Sequence, residues 1–545
     1  MTAETPAAEV LDTPAPPSEA KGGGMIRSSM IYSFFTLLSR MMGFARDLVV
    51  SYFMGASATF AADAFNAAFA FPNLFRRIFA EGAFAAAFVP AYSRSLEKDG
   101  EEVADVLAAD AMATLAAATL ALTVAAELTM PWLMRWLIAP GFAANPQKLE
   151  LAILLTRITM PYLPCMAIYA HLSGVLNARN RFILSAAAPI LLNVWTLVTV
   201  LPTHSPQQAA MWCAIGVLIA GVSQAGLLWW GVRKSGARVD VRLPRLTPEI
   251  RKLIALAIPG AIAASATQIN IFVSGILVSQ VNGARSWLAV CDRLYQLPQG
   301  LVGVAVGVAL LPRLSRAVQA DDKPQARGAI DQAITFCMAL SLPAAVGLVT
   351  IPYFLIDALY TRGAFTHVDA LKTAQALQQY GWGVPAFVAV QITNRIFFAQ
   401  QDTRTPMIYG LISVGVNVVL GVALFFLVGV PGIAAATSAA WWLNVLMMNV
   451  HLARKKVYTP SPAAWSKLAR ILAASLAAGV LMAAAGHWRG EIEAAIAALH
   501  VGHAKEFAIL AVVIAAGLAY PFLLLASGGI TRADIRAATR RSAAI

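Results

Sequence analysis

Fourteen apolar runs, each long enough to cross a lipid bilayer as a helix, follow one another along most of this 545-residue chain. A helical span needs about 20 residues, and backbone groups inside a bilayer must satisfy their hydrogen bonds internally. The runs are continuous rather than alternating in polarity, which excludes a transmembrane β-barrel. The chain is therefore predicted to be an all-α polytopic membrane protein with 14 transmembrane helices. The runs lie at about 28–54, 60–90, 104–138, 147–177, 182–202, 208–232, 250–281, 287–316, 327–357, 368–400, 406–428, 430–453, 464–486 and 504–527.

Composition and motifs narrow the class of protein. Hydrophobic residues make up 59% of the chain and charged residues 13%, against about 25% charged residues in ordinary soluble domains. A disordered chain, a disulfide scaffold and a cytosolic enzyme are therefore excluded. None of the four cysteines lies in a C-x-x-C pair, and no H-E-x-x-H or G-x-x-x-x-G-K-S/T motif occurs. We predict no disulfide, no metal site, no cofactor and no ATP hydrolysis.

The basic residues are distributed unevenly between the two sides of the predicted membrane. With the N-terminus in the cytoplasm, 27 of the 41 Lys and Arg residues fall in cytoplasmic segments, 6 on the opposite side and 8 within runs. This is the bias that the positive-inside rule predicts. The net charge of +13 is therefore interpreted as loop charge rather than as a nucleic-acid-binding surface. Both termini are predicted to be cytoplasmic.

Four short landmarks recur in the chain at an offset of 221 to 224 residues. The pairs are Pro90 and Pro312, Arg181 and Arg404, Asn193 and Asn417, and Arg233 and Arg454. Runs 1–6 and runs 7–12 therefore form two six-helix lobes, and because six is even, both lobes enter from the same side. Such lobes are expected to be related by a pseudo-two-fold axis along the membrane normal and to enclose a cavity for alternating access.

The repeat divides the chain into six segments. A disordered cytoplasmic tail (1–25) precedes the N-lobe (26–232), and a basic cytoplasmic linker (233–249) leads to the C-lobe (250–453). Two further C-terminal helices (454–527) lie outside the repeat, and residues 528–545 form a basic cytoplasmic tail.

Eight arginines lie inside the predicted runs: Arg40, Arg46, Arg76, Arg77, Arg135, Arg157, Arg293 and Arg395. An arginine at the bilayer centre costs at least ~2.5–3.5 kcal/mol on insertion scales, so each one needs a partner, water or a ligand. Arg135 is flanked by two tryptophans and is expected to anchor at the interface. Arg40 is predicted near the bilayer middle. Arg46 and Arg293 are predicted in the outer half, where they can meet across the two lobes. The roles of Arg157 and Arg395 stay open.

Four acidic residues accompany these arginines: Asp47, Asp63, Glu81 and Asp292. Asp292 is expected either to hold the Arg293 guanidinium or to close a gate, and Arg77 with Glu81 has the i,i+4 spacing of a buried pair. One interpretation is that all these charges are structural salt bridges between helices. The other follows from the surplus of cations, because unpaired buried charge is costly and guanidinium binds phosphate bidentately. It predicts a cationic cavity for a phosphate-bearing anion.

Long motifs in the chain resemble the MurJ (MviN) family of lipid II flippases, within the multidrug/oligosaccharidyl-lipid/polysaccharide exporter superfamily. The motifs are 39–47 (SRMMGFARD), 63–65 (DAF), 71–84 (FPNLFRRIFAEGAF), 88–90 (FVP), 292–294 (DRL), 311–312 (LP), 363–365 (GAF) and 401–406 (QDTRTP). The resemblance covers nearly the whole chain after residue 25.

The resemblance implies a transporter, not an enzyme, in the bacterial inner membrane. Its cargo would be lipid II, an undecaprenyl pyrophosphate that carries the peptidoglycan disaccharide-pentapeptide and moves to the outer leaflet for cell-wall synthesis. Expected substrate-binding residues are Arg40, Arg46, Arg293 and Arg76. Expected gate or transport-cycle residues are Asp47, Asp63, Arg77, Glu81 and Asp292. The last two helices are expected to form a groove for the lipid tail.

Several alternatives and partners remain open at this point. Some family members have a sodium site in helices 7 and 11, but runs 7 and 11 contain no Asp or Glu, so sodium is not carried over. The membrane potential is the hypothesised driver. Another polyprenyl-linked oligosaccharide is an alternative cargo, and a membrane-embedded glycosyltransferase is an alternative of a different class. Membrane lipids are expected partners, nucleic acid is not, and partners in the cell-wall synthesis machinery stay open. His171 is interpreted as a packing residue.

Overall fold

The structure, a computed structural model, describes residues 22–77, 84–305, 323–498 and 503–529, and these residues form helices and no strand. A π-helical turn (Met134–Ile138) and a 3-10 turn (Pro140–Ala144) follow α4. The helices are α1 (Gly22–Met54), α2 (Ala61–Phe75), α3 (Phe84–Lys98), α4 (Glu101–Leu133), α5 (Pro146–Thr159), α6 (Tyr162–Ala178), α7 (Phe182–Ala187), α8 (Pro189–Val200), α9 (Pro206–Lys234), α10 (Pro248–Val278), α11 (Ala284–Ala305), α12 (Lys323–Thr350), α13 (Pro352–Tyr360), α14 (His367–Gly381), α15 (Val384–Ala399), α16 (Arg404–Val428), α17 (Val430–Arg454), α18 (Pro462–His487), α19 (Arg489–Ala497) and α20 (Ala504–Ser527).

Nine helical segments of the described chain are long and apolar enough to cross a membrane. They are Glu101–Ile138, Pro146–Ala178, Phe182–Val200, Pro206–Lys234, Pro324–Thr350, Arg404–Val428, Val430–Arg454, Pro462–His487 and Ala504–Ser527. The all-α membrane architecture is therefore confirmed in this coarser form, and the count of fourteen stays a prediction. The Pro312 landmark, most of the 1–25 tail and most of the 528–545 tail lie outside the described residues.

Prolines break four of the predicted runs into shorter helices. α6 follows Pro161, α8 begins at Pro189, α13 begins at Pro352 and α15 carries Pro385 in its first turn. A proline has no N–H to continue the helix, and its ring clashes with the preceding turn. The sequence interpretation treated each run as continuous, so it missed these breaks.

Small residues allow the helices of the first half to pack closely. α2 packs on α5 and α9, and it buries Ala61, Ala64, Ala67 and Ala68 completely. Between helices in a membrane, small side chains allow the backbones to approach and gain dispersion energy. This packing holds α2 in place along its length. It thereby fixes the positions of the charged residues at its two ends, which are Asp63 at the start and Arg76 and Arg77 after the last residue.

The two halves of the chain meet at one end of the molecule, which we name the closed end. It is formed by residues 55–63, 138–148, 279–287 and 361–369. α2 packs against α11 there. Elsewhere α10, the first helix of the second half, packs against α3 and α4 of the first half.

The last helices are joined to the second half by packing and by charge. α18 packs against α12 and α20. Asp357 on α13 is completely buried and accepts hydrogen bonds from Arg489 of α19 and, at 3.2 Å, from Lys505 Nζ of α20. The Arg489 guanidinium also lies 5.0 Å from the centre of the Phe354 ring. These contacts tie α18–α20 to the same body as α12 and α13.

Candidate functional site: a cationic cavity and its closed end

The position of the first cationic motif is set by Asn193 of α8. Asn193 Nδ2 donates a hydrogen bond to the Ser39 carbonyl oxygen at 3.0 Å. Gly43 is buried, and a Cβ on it would lie 3.6 Å from Asn193 Oδ1. α1 therefore lies directly on α8, and Arg40 and Asp47 both line interior cavities.

Asp47 bridges two arginines that come from the two halves of the chain. Arg46 donates to Asp47 Oδ1 from Nε at 3.0 Å and from Nη2 at 2.7 Å. Arg293 on α11 donates from Nε to Asp47 Oδ2. All three side chains are partly buried. The prediction that Arg46 and Arg293 meet is confirmed, and the shared carboxylate is what joins them.

Asp292 lies in a cavity of about 400 Å³ that Arg77 also lines. The contact of Arg293 with Asp47 is made through its Nε. Both roles expected of Asp292, holding the Arg293 guanidinium or closing a gate, stay predictions.

The arginines line two cavities. One, of about 830 Å³, is lined by Arg40, Arg77 and Arg293 together with residues of α10, α15, α16 and α17. A smaller cavity of about 190 Å³ is lined by Arg46, Asp47 and Arg293. Arg293 lines both.

The charges in these cavities do not balance. Among the described lining residues, four arginines (Arg40, Arg46, Arg77 and Arg293) face two carboxylates (Asp47 and Asp292), a surplus of two positive charges. This count leaves aside Arg285, whose guanidinium is held by two backbone carbonyls. Surplus guanidinium groups that line one site favour an anionic ligand with several acceptor oxygens.

The second cationic motif is only partly described. Arg77 lines the cavities, whereas Arg76 is half-buried and donates from Nε to Asn73 Oδ1 at 2.8 Å. Glu81 lies outside the described residues, so its pairing with Arg77 stays a prediction. Asp63 lies in the first turn of α2, whereas Arg76 and Arg77 follow its last residue.

Asp63 joins the two halves at the closed end. It is completely buried and accepts hydrogen bonds from Lys148 Nζ at 2.7 Å, Gly283 N at 2.7 Å and Ser286, through N at 3.1 Å and Oγ at 2.9 Å. Gly283 and Ser286 belong to the second half of the chain. Asp63 is therefore both a salt-bridge partner within its own half and a contact across the halves, as expected of a gate residue.

A second carboxylate makes the reciprocal contact. Asp369, at the start of α14, is completely buried and accepts hydrogen bonds from Ser57 N at 2.9 Å and from the Ser57 hydroxyl. Trp287 Nε1 donates to the same oxygen at 2.9 Å. The other oxygen forms a capping box with Thr366. Each half of the chain thus supplies one buried carboxylate to a loop of the other half.

The closed end also contains a direct contact between main chains. Ala364 N donates to the Tyr52 carbonyl oxygen at 2.9 Å. Gly55 and Gly363 both have positive φ, and a Cβ on either would come within 2.3 to 2.4 Å of a backbone oxygen of the opposite half. Only glycine allows this approach.

Sequence reasoning missed several residues of the closed end. Lys148 and Arg285 were predicted to be loop charges, but they are only 5% and 9% exposed. Arg285 Nη2 donates to Ile138 O at 2.6 Å and to Gly275 O at 2.7 Å. A signal was present: Lys148 and Asp369 are 221 residues apart, which is the offset of the repeat. Two charged residues of opposite sign thus occupy matching positions.

Two other predicted features lie among the described residues. His171 is 1% exposed and its ring lies against Phe84 and Phe88, with centroids 5.8 and 4.2 Å away. Its interpretation as a packing residue stays a prediction. In the 401–406 motif, hydrogen bonds from the Thr405 side chain and backbone N–H, at 2.6 and 2.9 Å, hold the pKa of Asp402 below its usual range. That carboxylate stabilises the start of α16.

Known proteins share this sequence and fold. The family described as lipid II flippase MurJ matches residues 50–499. A protein of Rhizobium tropici named probable lipid II flippase MurJ is 40% identical over 424 residues, 77% of this chain and 79% of that protein. A solved structure described as lipid II flippase MurJ, inward closed conformation, has a TM-score of 0.73 and 25% identity and covers 91% of this chain and 98% of its own.

A second solved structure supports the fold alone. It is described as the inward-facing conformation of a multidrug resistance MATE family transporter of the MOP superfamily. It has a TM-score of 0.64 at 14% identity and covers 78% of this chain and 98% of its own. The family match spans well over half of the chain and includes the closed end and the cavity residues Arg77, Asp292 and Arg293, whereas Arg40, Arg46 and Asp47 precede it. The chain belongs to the lipid II flippase MurJ family.

Proposed function

We propose that this protein moves lipid II from the inner to the outer leaflet of the bacterial inner membrane by alternating access, for cell-wall synthesis. The observation that carries the proposal is the surplus of arginine in one interior cavity system that is closed at one end. The pyrophosphate of lipid II supplies anionic oxygens that Arg40, Arg46 and Arg293 can bind, the last two in competition with Asp47. Family membership supports the same cargo.

The closed end faces the outer side in this proposal, and both termini are cytoplasmic. Fourteen helices then form two six-helix lobes, related by a pseudo-two-fold axis along the membrane normal, and two further helices. Lipid II enters from the cytoplasmic leaflet and its pyrophosphate competes with Asp47 for Arg46 and Arg293. One link between the lobes is thereby weakened. The contacts of Asp63 and Asp369 then break as the outer side opens.

The last two helices take the lipid tail. α18 and α20 expose large apolar side chains, among them Val480 at 68%, Leu518 at 65% and Phe522 at 71%. A polyprenyl chain that leaves the cavity can lie along such a surface without contact with water. The groove stays next to the second lobe because Asp357 ties α19 and α20 to it.

The membrane potential drives the cycle in this proposal. Moving one charge across 100 mV is worth ~2.3 kcal/mol, and both the arginine cavity and its anionic cargo are charged. Collapse of the potential at a constant pH gradient should stop flipping by the protein in vesicles. Flipping that continues unchanged would rule out this driver.

Rescue of cells depleted of their own lipid II flippase tests the function. The wild-type protein should restore growth and outward lipid II, and well-expressed Arg40→Ala, Arg46→Ala and Arg293→Ala variants should not. Failure of well-expressed wild type would favour another polyprenyl-linked oligosaccharide as the cargo. Glycosyl transfer by the purified protein would instead favour a membrane enzyme. Rescue by all three variants would leave the arginines as structural charges.

A further inference from the structure

Part of the lining of the 830 Å³ cavity differs in chemistry from its arginines. α17 presents Thr437, Trp441 and Asn444 to this cavity, and Asn417 of α16 also lines it. The spacings of four and three residues place the three α17 side chains on one helix face. We name these three residues the α17 stripe. It offers an indole ring, a hydroxyl and an amide to the cavity that Arg40, Arg77 and Arg293 also line.

Trp441 is held in a fixed orientation. The ring centroids of Phe387 and Tyr295 lie 5.0 and 5.7 Å from that of Trp441, both in edge-to-face geometry. Tyr295 is stacked in turn on Tyr380 at 4.7 Å. An aromatic side chain braced in this way loses little conformational entropy when a ligand packs on it. The indole is therefore preorganised for contact with a ligand.

Asn444 carries an unused acceptor at the same wall. Its side chain is buried, with the residue 8% exposed, and Oδ1 has no hydrogen-bond partner among the described residues. A buried polar atom left unpaired destabilises the folded protein. A ligand that donates a hydrogen bond in the cavity removes this cost.

The α17 stripe is not required by the repeated architecture. At the offset of 221 residues that relates Arg233 to Arg454, its counterparts on α9 are Gly216, Ala220 and Ser223. These are small residues, and Ser223 already donates to the Ala220 carbonyl oxygen at 2.9 Å. The first half therefore supplies most of the arginines, and the second half alone supplies the aromatic and amide wall.

We propose that the α17 stripe is a carbohydrate subsite, which binds the sugars that follow the pyrophosphate; this inference rests on the proposed lipid II cargo. The apolar face of a sugar ring packs on the Trp441 indole. Hydroxyl and N-acetyl groups hydrogen-bond to Thr437 and Asn444. Thr437 and Asn444 are about 10 Å apart along the helix axis, at 1.5 Å per residue, which is the length scale of a disaccharide. The subsite binds the sugars, while the arginines bind the pyrophosphate.

Two lipids that share the polyprenyl pyrophosphate, one with and one without the disaccharide-pentapeptide, test the subsite. The affinities of lipid II and of undecaprenyl pyrophosphate are measured by native mass spectrometry on the full-length protein in nanodiscs. We expect Trp441→Leu and Asn444→Leu each to weaken lipid II binding at least about tenfold, ~1.4 kcal/mol, and to change undecaprenyl pyrophosphate binding less than about twofold. Asn444→Leu is close to isosteric and removes an unpaired amide, so it should fold even if Trp441→Leu does not.

Matched variants separate the subsite from general effects. Trp442→Leu changes the same residue type on another face of α17, where the side chain is 44% exposed, and should leave both affinities unchanged. Arg293→Ala should weaken both lipids. Equal losses for the two lipids in the stripe variants, or no loss for either, would overturn the subsite. Equal binding of both lipids by wild type would overturn the subsite alone, whereas tight lipid II binding without flipping would overturn the proposed function alone.

Discussion

Arg293 of α11 donates a hydrogen bond from Nε to Asp47 Oδ2 of α1, and this contact crosses from one half of the chain to the other. The same carboxylate also holds Arg46. A carboxylate and a phosphate offer guanidinium the same kind of acceptor. Asp47 therefore occupies in the free protein the role that a phosphate group would take, and it links anion binding to the contact between the halves.

The first prediction concerns the strength of anion binding. Asp47→Asn removes the charge that competes for Arg46 and Arg293, so the affinity for inorganic pyrophosphate should rise by about fivefold to tenfold, roughly 1 kcal/mol. Isothermal titration calorimetry on the purified protein measures it. Asp292→Asn is the control, because it removes one negative charge from the cavities and leaves the contacts of Asp47 with Arg46 and Arg293 in place. A similar rise in both variants would show a general charge effect, and weaker binding in Asp47→Asn would contradict the prediction.

The second prediction concerns the buried ion pair at the closed end. Lys148→Met leaves Asp63 without its cation in a fully buried position, and breaking such a pair costs about 3–5 kcal/mol. The thermal unfolding midpoint in detergent should therefore fall clearly. Lys372→Met, at an exposed position of α14, should not lower it. The double variant Asp63→Asn/Lys148→Met should recover part of the loss. A double variant as unstable as the sum of its parts would show that the two residues do not interact.

The third prediction concerns the glycines that allow the main chains to touch. Gly55 has a φ of +70°, and a Cβ there would lie 2.3 Å from the Ala364 carbonyl oxygen. Gly55→Ala should therefore push the halves apart. Spin labels on Ala58→Cys and Val368→Cys, both exposed, should report a longer distance by double electron–electron resonance. Gly429→Ala also has a positive φ, at +75°, but no atom within 4 Å, so an equal distance change there would attribute the effect to backbone strain.

The fourth prediction concerns the reciprocal carboxylate. Ser57→Ala removes the Ser57 hydroxyl from Asp369 and leaves the capping box of α14 intact. It should raise the open population of the closed end about tenfold, if that hydrogen bond to a charged group contributes roughly 1.5 kcal/mol. Asp369→Asn should do the same or more, measured with the same pair of spin labels. Thr366→Ala breaks the capping box without touching Ser57 and should leave the distance unchanged. An equal effect from Thr366→Ala would show that helix capping alone is responsible.

Distances along the chain predicted part of the site. The depth of Arg46 in the first run and of Arg293 in the eighth placed them at one level, and the structure joins them. Asp47 shows why sequence proximity gives only half of this arrangement. Its contact with Arg46 is between neighbours in sequence, whereas its contact with Arg293 comes from another helix and could be predicted only as a shared depth.

The distribution of charge among the loops did not predict which individual basic residues are buried. The positive-inside rule counts which side a residue lies on and carries no information on burial. Lys148 and Arg285 were therefore counted as outer loop charges, although hydrogen bonds to Asp63 and to two backbone carbonyls bury them. The helix breaks beside Pro161, Pro189 and Pro352, in contrast, follow from the missing N–H of proline and could have been predicted.

The hydrogen bond from Ala364 N to Tyr52 O means that part of the contact between the two halves at the closed end is made by backbone atoms alone. Side-chain identity at Tyr52 and Ala364 contributes nothing to that hydrogen bond, so exchanges at these two positions leave its donor and acceptor in place. Substitutions can therefore remove the side-chain hydrogen bonds of Asp63 or Asp369 one at a time, while the hydrogen bond between the main chains persists. The positions that substitution cannot alter without cost are Gly55 and Gly363, whose role is to have no side chain at all.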